Sequence, residues 1–151
     1  QALGIRAYHL SDVCSAYRRS AYEAVGGFPH PLPTNEDMLI AAAFLDSGYR
    51  LAYCADAAVV HSHDLTLRQE YRRNVLIGRF LQEYGERLGN PRETGEGLRR
   101  VGQVLSQLLR GGHPLECPAF AADCAARLLG SRAGRRAGTA GQGRIRHAAD
   151  G

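Results

Sequence analysis

The 151-residue sequence contains no lysine, no tryptophan and a single methionine, Met38. All 19 basic residues are therefore arginine, a bias we assign to coding preference and not to phosphate recognition. No apolar run approaches the roughly 18–20 residues of a membrane span, and no charged-then-apolar leader opens the chain. These absences predict a cytoplasmic protein whose contact with a membrane, at its inner face, is peripheral. Cysteine is sparse: Cys14, Cys54, Cys117 and Cys124 form no C-x-x-C pair, which excludes a disulfide scaffold and fits a reducing compartment. There is no internal repeat, and the chain starts at Gln1 without an initiating Met. We therefore expect a piece of something longer.

With 44% hydrophobic residues, the chain has enough apolar material for one domain with a true core. Its net charge of +4 sits at the end: residues 131–151 hold 5 arginines against one acid, Asp150. That stretch is rich in Gly and Ala with little to bury, so it is expected to be a disordered basic tail. A patch of this kind could touch anionic lipid or nucleic acid, but a solvated terminal extension accounts for it, and we expect no nucleic-acid partner.

Upstream, "DVCSAY" alternates as a strand does, and "RRSAYEAVGGF" reads as a short helix closed by Gly26 and Gly27. "PHPLPT" holds three prolines, which forbid regular structure and predict an exposed loop. Asn35 then reads as an N-cap, Glu36 and Asp37 as a first turn and Gly48 as the stop of a helix. "YRLAYC" and "AAVVHSH" are short enough to be strands. From Thr66 the apolar period becomes helical, through Leu67, Tyr71, Val75, Phe80, Leu81 and Tyr84. Residues 97–110 and 116–129 read as two more helices. The expected organisation is α/β over 1–65, a helical extension over 66–130 and the tail over 131–151.

Three groups of residues carry possible chemistry. Glu36 and Asp37 open a helix after a proline-rich loop, where a general base would be both exposed and rigidly held. Against this, acidic first turns simply answer the helix dipole, which also lowers carboxylate pKa values and weakens a base. His61 and His63, two apart in a strand, would point the same way and share a metal, with Cys54 and Asp64 as further ligands; hydrogen-bonded strand-end histidines are the alternative. Arg18 with Arg19, and Arg72 with Arg73, suit phosphates through the guanidinium fork, or are surface charge.

"DVCSAYRRSAYEAVGGFPHPLPTNEDMLIAAAFLDSGYRLAYCADAAVVHSH" resembles the family 2 inverting glycosyltransferases of the GT-A fold, especially bacterial rhamnosyltransferases. The likeness rests on the aromatic-Arg-Arg step, the Gly-Gly-Phe turn, the Glu-Asp pair and the His-x-His, in that order. It is strong over residues 10–85 and looser over 86–130. The resemblance implies an α/β fold, the C-terminal, acceptor-side half of a GT-A nucleotide-diphospho-sugar transferase followed by a helical extension. It implies Asp37 as the base that deprotonates the acceptor hydroxyl, with Glu36 and Asn35 at the acceptor and Gly26, Gly27 and Phe28 as the pocket floor. Arg18 and Arg19 are further substrate-binding candidates. His61 or His63 would help hold a divalent metal, Mg or Mn. The implied partners are a nucleotide-diphosphate sugar donor, dTDP-rhamnose, and a saccharide or lipid-linked acceptor in surface-polysaccharide synthesis. The family's N-terminal nucleotide-binding half and Asp-x-Asp motif are missing, and "SDV" at 11–13 is no substitute, so we expect the acceptor half alone and no turnover by it. The competing readings are a truncated remnant serving as an interaction module, and a small metal-binding module built on His61, His63 and Cys54.

Overall fold

The computed structural model describes residues 7–29, 32, 34–89 and 96–149. Among these it holds five helices: α1 (Arg19–Ala24), α2 (Glu36–Asp46), α3 (Leu67–Tyr84), α4 (Glu96–Arg110) and α5 (Cys117–Ala149). Contacts divide the chain into two units, Gln1–Asp64 with Arg87–Asn90, and Leu65–Glu86 with Pro91–Gly151.

No strand is present among the described residues, so the expected α/β, GT-A-type half is not what this chain forms. "DVCSAY" instead makes a short 3-10 turn, Asp12–Cys14, flanked by extended Ser11 and Ser15. The two other candidate strands, residues 49–54 and 57–63, are irregular backbone apart from a turn at 55–56. A helix closes its hydrogen bonds within its own segment, whereas a strand needs a neighbour to supply them. The apolar runs here have no such neighbour among the described residues, and Tyr53, Val59 and Val60 stay 94%, 54% and 104% exposed. Of the proline-rich loop, residues 30, 31 and 33 lie outside the described residues.

In the first unit, α2 supplies most of the core. Met38, Leu39, Ile40, Ala41, Ala42 and Phe44 are buried, and Ile40, Phe44 and Ala21 of α1 form a cluster flanked by Leu10, Tyr17, Tyr22, Val25, Phe28 and Leu51. Both helices end in the same way, with a glycine in the left-handed region. The Gly48 N–H (φ +81°) bonds Leu45 O at 3.1 Å and the Tyr49 N–H bonds Phe44 O at 2.9 Å. The Tyr49 ring then packs edge-on against Phe44 at 5.9 Å. After α3 the chain contributes Leu88, fully buried, to this unit. Beside it Arg87 pairs with Asp46 at 3.0 Å, both more than half exposed, so that pair adds little.

In the second unit, Thr66 and Gln69 form a reciprocal capping box that starts α3. α5 runs beside α3 in the same direction, with Gly130, Gly134 and Gly138 facing Tyr71, Val75 and Gln82. Residues 131–149, expected to be a disordered tail, continue the α5 helix. What composition conceals is the four-residue spacing of its glycines, which lets two backbones touch. A Cβ on Gly134 would lie 2.1 Å from the Val75 carbonyl oxygen, and one on Gly78 of α3 would lie 2.2 Å from the Ser131 oxygen. Glu70, 3% exposed, is satisfied in the same seam. Arg127 reaches its carboxylate at 3.1 Å, and Asn74 Nδ2 donates to it at 3.1 Å.

The Gly134→Ala substitution should therefore destabilise the second unit by about 1–3 kcal/mol through overpacking. By contrast Gly102→Ala in α4, where a Cβ meets nothing within 4 Å, should stabilise by about 0.5–1 kcal/mol. Urea unfolding followed by far-ultraviolet circular dichroism separates the two signs.

Candidate functional site

The first turn of α2 gathers the expected carboxylates, but it is not capped as its sequence suggests. Asn35 occupies the N-cap position in the left-handed region, φ 60° and ψ 27°, and its side chain makes no cap hydrogen bond. Its amide oxygen accepts from Thr34 Oγ1 at 3.0 Å, and its Nδ2 approaches Met38 Sδ at 3.4 Å. The cap is supplied by Asp37 itself, whose Oδ1 accepts the Met38 backbone N–H at 2.8 Å. This bond holds the carboxylate at the helix mouth.

Position there alone would depress the carboxyl pKa. The structure reverses that expectation, because Asp37 is half-buried and the desolvation of its charge dominates. The Met38 N–H opposes this, the negative charges of Asp12 and Glu36 raise the value further, and the Asp12 backbone N–H opposes it again. The net result is a carboxyl raised above its ordinary value, in the direction a proton acceptor working near neutrality needs.

Asp12 and Tyr17 add to the electrostatic surroundings of Asp37; Tyr17 is the aromatic of the aromatic-Arg-Arg step, but neither residue was expected beside the carboxylate pair. The Tyr17 hydroxyl donates to Asp12 Oδ1, while the Tyr17 ring stacks on Phe44 at 5.9 Å and meets Phe28 edge-on at 5.8 Å. Burial, and next the bond to Asp12, push the Tyr17 phenol well above its normal range, so it stays protonated and donating at neutral pH. The signal that could have found Tyr17 is its place in the aromatic-Arg-Arg step; Asp12 had none.

The Gly26-Gly27-Phe28 turn is in place beside these rings. Its glycines have φ +85° and +70°, the Gly27 N–H bonds Tyr22 O at 2.9 Å, and a Cβ on Gly27 would meet the Tyr22 ring at 2.9 Å. The Tyr22 hydroxyl accepts the Phe28 N–H at 3.1 Å. Phe28 packs into the aromatic cluster, so its ring serves the core of the unit. Arg18 and Arg19, at the N-cap and first position of α1, are exposed.

His61 and His63 come together, with Nε2 atoms 2.8 Å apart and ring centroids 4.3 Å apart, although neither lies in a strand. Both are exposed. Cys54 and Asp64 do not complete a ligand set with them: among the described residues no group of three or more His, Cys, Asp or Glu could hold a metal ion.

Two curated proteins are similar to this chain. The O-antigen chain rhamnosyltransferase WbaN of Salmonella anatum is 37% identical over 140 residues, 88% of this chain and 42% of that protein. The O-antigen chain rhamnosyltransferase RfbN of Salmonella typhimurium is 34% identical over 142 residues, 89% of this chain and 43% of that protein. The chain thus spans less than half the length of these relatives, and the expected likeness to bacterial rhamnosyltransferases is borne out. No family model and no solved structure matches.

A raised carboxyl binds its proton more tightly in the folded state, so folding loses stability as pH climbs from the unfolded value through the folded one, and the loss persists above it. Asp37→Asn keeps the oxygen that caps Met38 and removes the charge. The variant should therefore be more stable than the parent at pH 7, with the advantage fading as Asp37 is protonated at acid pH. Chemical denaturation across that range measures it.

Proposed function

We propose that this chain, similar over most of its length to two O-antigen chain rhamnosyltransferases, serves rhamnosyl transfer in the assembly of a bacterial surface polysaccharide. The observation that carries this reading is Asp37, a half-buried carboxylate of raised pKa pinned at the start of α2. Asp37 takes the proton of an acceptor hydroxyl. The freed oxygen pair then attacks the anomeric carbon of the sugar, and the bond from that carbon to the diphosphate oxygen breaks with its electrons leaving on the diphosphate. Because attack and departure occupy opposite faces, the configuration inverts. The donor is a nucleotide-diphosphate sugar, dTDP-rhamnose, and the acceptor a saccharide or lipid-linked saccharide. Glu36 and Asn35 flank the acceptor, and Arg18 and Arg19 offer exposed guanidinium groups to phosphate.

A divalent metal belongs to the same proposal. The paired imidazoles of His61 and His63 would hold it as a partial donor set, since their Nε2 atoms converge. Nitrogen donors favour Mn over Mg, which prefers oxygen. When bound, the ion neutralises charge on the departing diphosphate.

No helix among the described residues is long and apolar enough to cross a membrane. In this reading the protein is cytoplasmic, and peripheral contact at the inner membrane surface is supported by α4, whose Leu98 and Leu109 are 77% and 59% exposed on one face. Arg99 and Arg110 follow each of them in the sequence, an arrangement suited to an anionic lipid surface.

In the complete protein carrying this sequence, Asp37→Asn should reduce rhamnosyl transfer by about 10²-fold or more, the usual contribution of a general base, while donor binding stays near the parent value. Transfer and donor-binding assays on the same preparation check this, and retained turnover places the base elsewhere. Co-flotation with vesicles containing anionic lipid should be lost when Leu98 and Leu109 are both changed to Glu.

A further inference from the structure

We infer that Asn35, held in a left-handed backbone by Thr34 and Met38, is a positioning residue for Asp37: by keeping its own side chain off the Met38 N–H, it leaves that donor to the Asp37 carboxylate. This inference rests on the reading of Asp37 as the base and gives Asn35 a role apart from flanking the acceptor.

The N-cap residue of a helix ordinarily has extended backbone, and its side-chain oxygen accepts the N–H of the second or third helical residue. In α2 the third residue is Met38. Asn35 has the side chain for that bond but not the backbone, with φ 60° and ψ 27°. It is the only non-glycine residue at positive φ among the described residues, in a conformation that favours glycine and that Asn tolerates better than most side chains. Local bonds hold it there. Its Oδ1 accepts from Thr34 Oγ1 at 3.0 Å and its Nδ2 donates to Met38 Sδ at 3.4 Å, so both ends of the amide are engaged away from the helix N–H groups. Met38 is buried, which gives that sulfur a fixed place. The Met38 N–H is then shared between the main-chain oxygen of Asn35 at 3.2 Å and Asp37 Oδ1 at 2.8 Å. The shorter bond fixes the carboxylate of the base at the helix mouth. An asparagine in the usual N-cap geometry would compete with Asp37 for the same donor, and the left-handed backbone removes that competitor.

The test follows Asp37 in the whole chain by carboxyl-carbon NMR, together with the Met38 amide proton, whose shift reports the ionisation of the carboxylate that accepts it. Asn35→Gly suits the left-handed backbone and brings no competing side chain, so the Asp37 midpoint and the Met38 response should stay as in the parent. Asn35→Ser supplies an efficient cap in extended backbone and should take the Met38 N–H. Because that N–H lowers the Asp37 pKa, the midpoint should rise and the Met38 response should be lost. Asp12, Glu36 and Tyr17, the other ionisable groups coupled to Asp37, are the same in both variants, and Asn35 is partly exposed, so neither substitution disturbs the core. In the complete protein carrying Asn35→Ser, the acid limb of the kcat profile should follow the same rise. A parent-like midpoint and Met38 response in Asn35→Ser, or the loss of that response in Asn35→Gly, each with the circular dichroism of the parent, overturns the inference. Failure of the base assignment shows differently: Asp37→Asn would retain transfer whatever the Asn35 variants do to the titration.

Discussion

The stacking of Tyr17 on Phe44 is the contact on which the candidate site depends. Phe44 lies on the buried face of α2 and Tyr17 in the segment that precedes α1, so the pair ties an irregular stretch to the helix that carries Glu36 and Asp37. Phe28, delivered by the Gly26-Gly27 turn, closes the cluster against both Tyr17 and Tyr22. Four aromatic rings offer a large apolar area and defined edge and face geometries. A rigid platform follows, and the phenol of Tyr17 projects from it toward Asp12.

The second unit is held by a different device. Where the first unit interlocks rings, α3 and α5 remove side chains and bring backbones into contact at Gly78, Gly130 and Gly134. The same seam buries Glu70, which would be expensive without partners; Arg127 and Asn74 supply them, and Asp123 braces Arg127 at 2.7 Å. Close helix contact and a satisfied buried charge together specify which face of α5 meets α3, something a uniformly apolar seam would leave less defined.

Helices were legible because their signals are local. Gly48 after α2 and the glycine pair after α1 act within one helical turn of the residues they cap, and the structure keeps both in that role; the Thr66–Gln69 capping box is an equally local signal that the structure adds. Strands were not legible, since the apolar runs around Tyr53 and Val59–Val60 record a capacity to pair, and pairing depends on backbone the segments do not contain. The packing of the start of the 131–151 tail against α3 was not legible for a related reason: low apolar content argues against a packed side-chain core, but glycines four apart need no side chains to pack. At the site, the Glu36–Asp37 pair and the His61–His63 pair were both visible as spacings. Asn35 was visible as a cap residue, yet its left-handed backbone turned its side chain to other partners and left capping to Asp37.

The sequence by itself determined that helices form at these places and where α1 and α2 stop, the glycine turns, the adjacency of Glu36 and Asp37, and a likeness to rhamnosyltransferases, because all of these are encoded in neighbouring residues or in their order. Only the tertiary structure decided that Asp37 is raised and not lowered in pKa, that Asp12 and Tyr17 share its environment, and that α5 packs through its glycines. The physical reason is that desolvation, like-charge proximity and backbone contact are properties of groups brought near each other in space, and their strength depends on distances that sequence separation does not report.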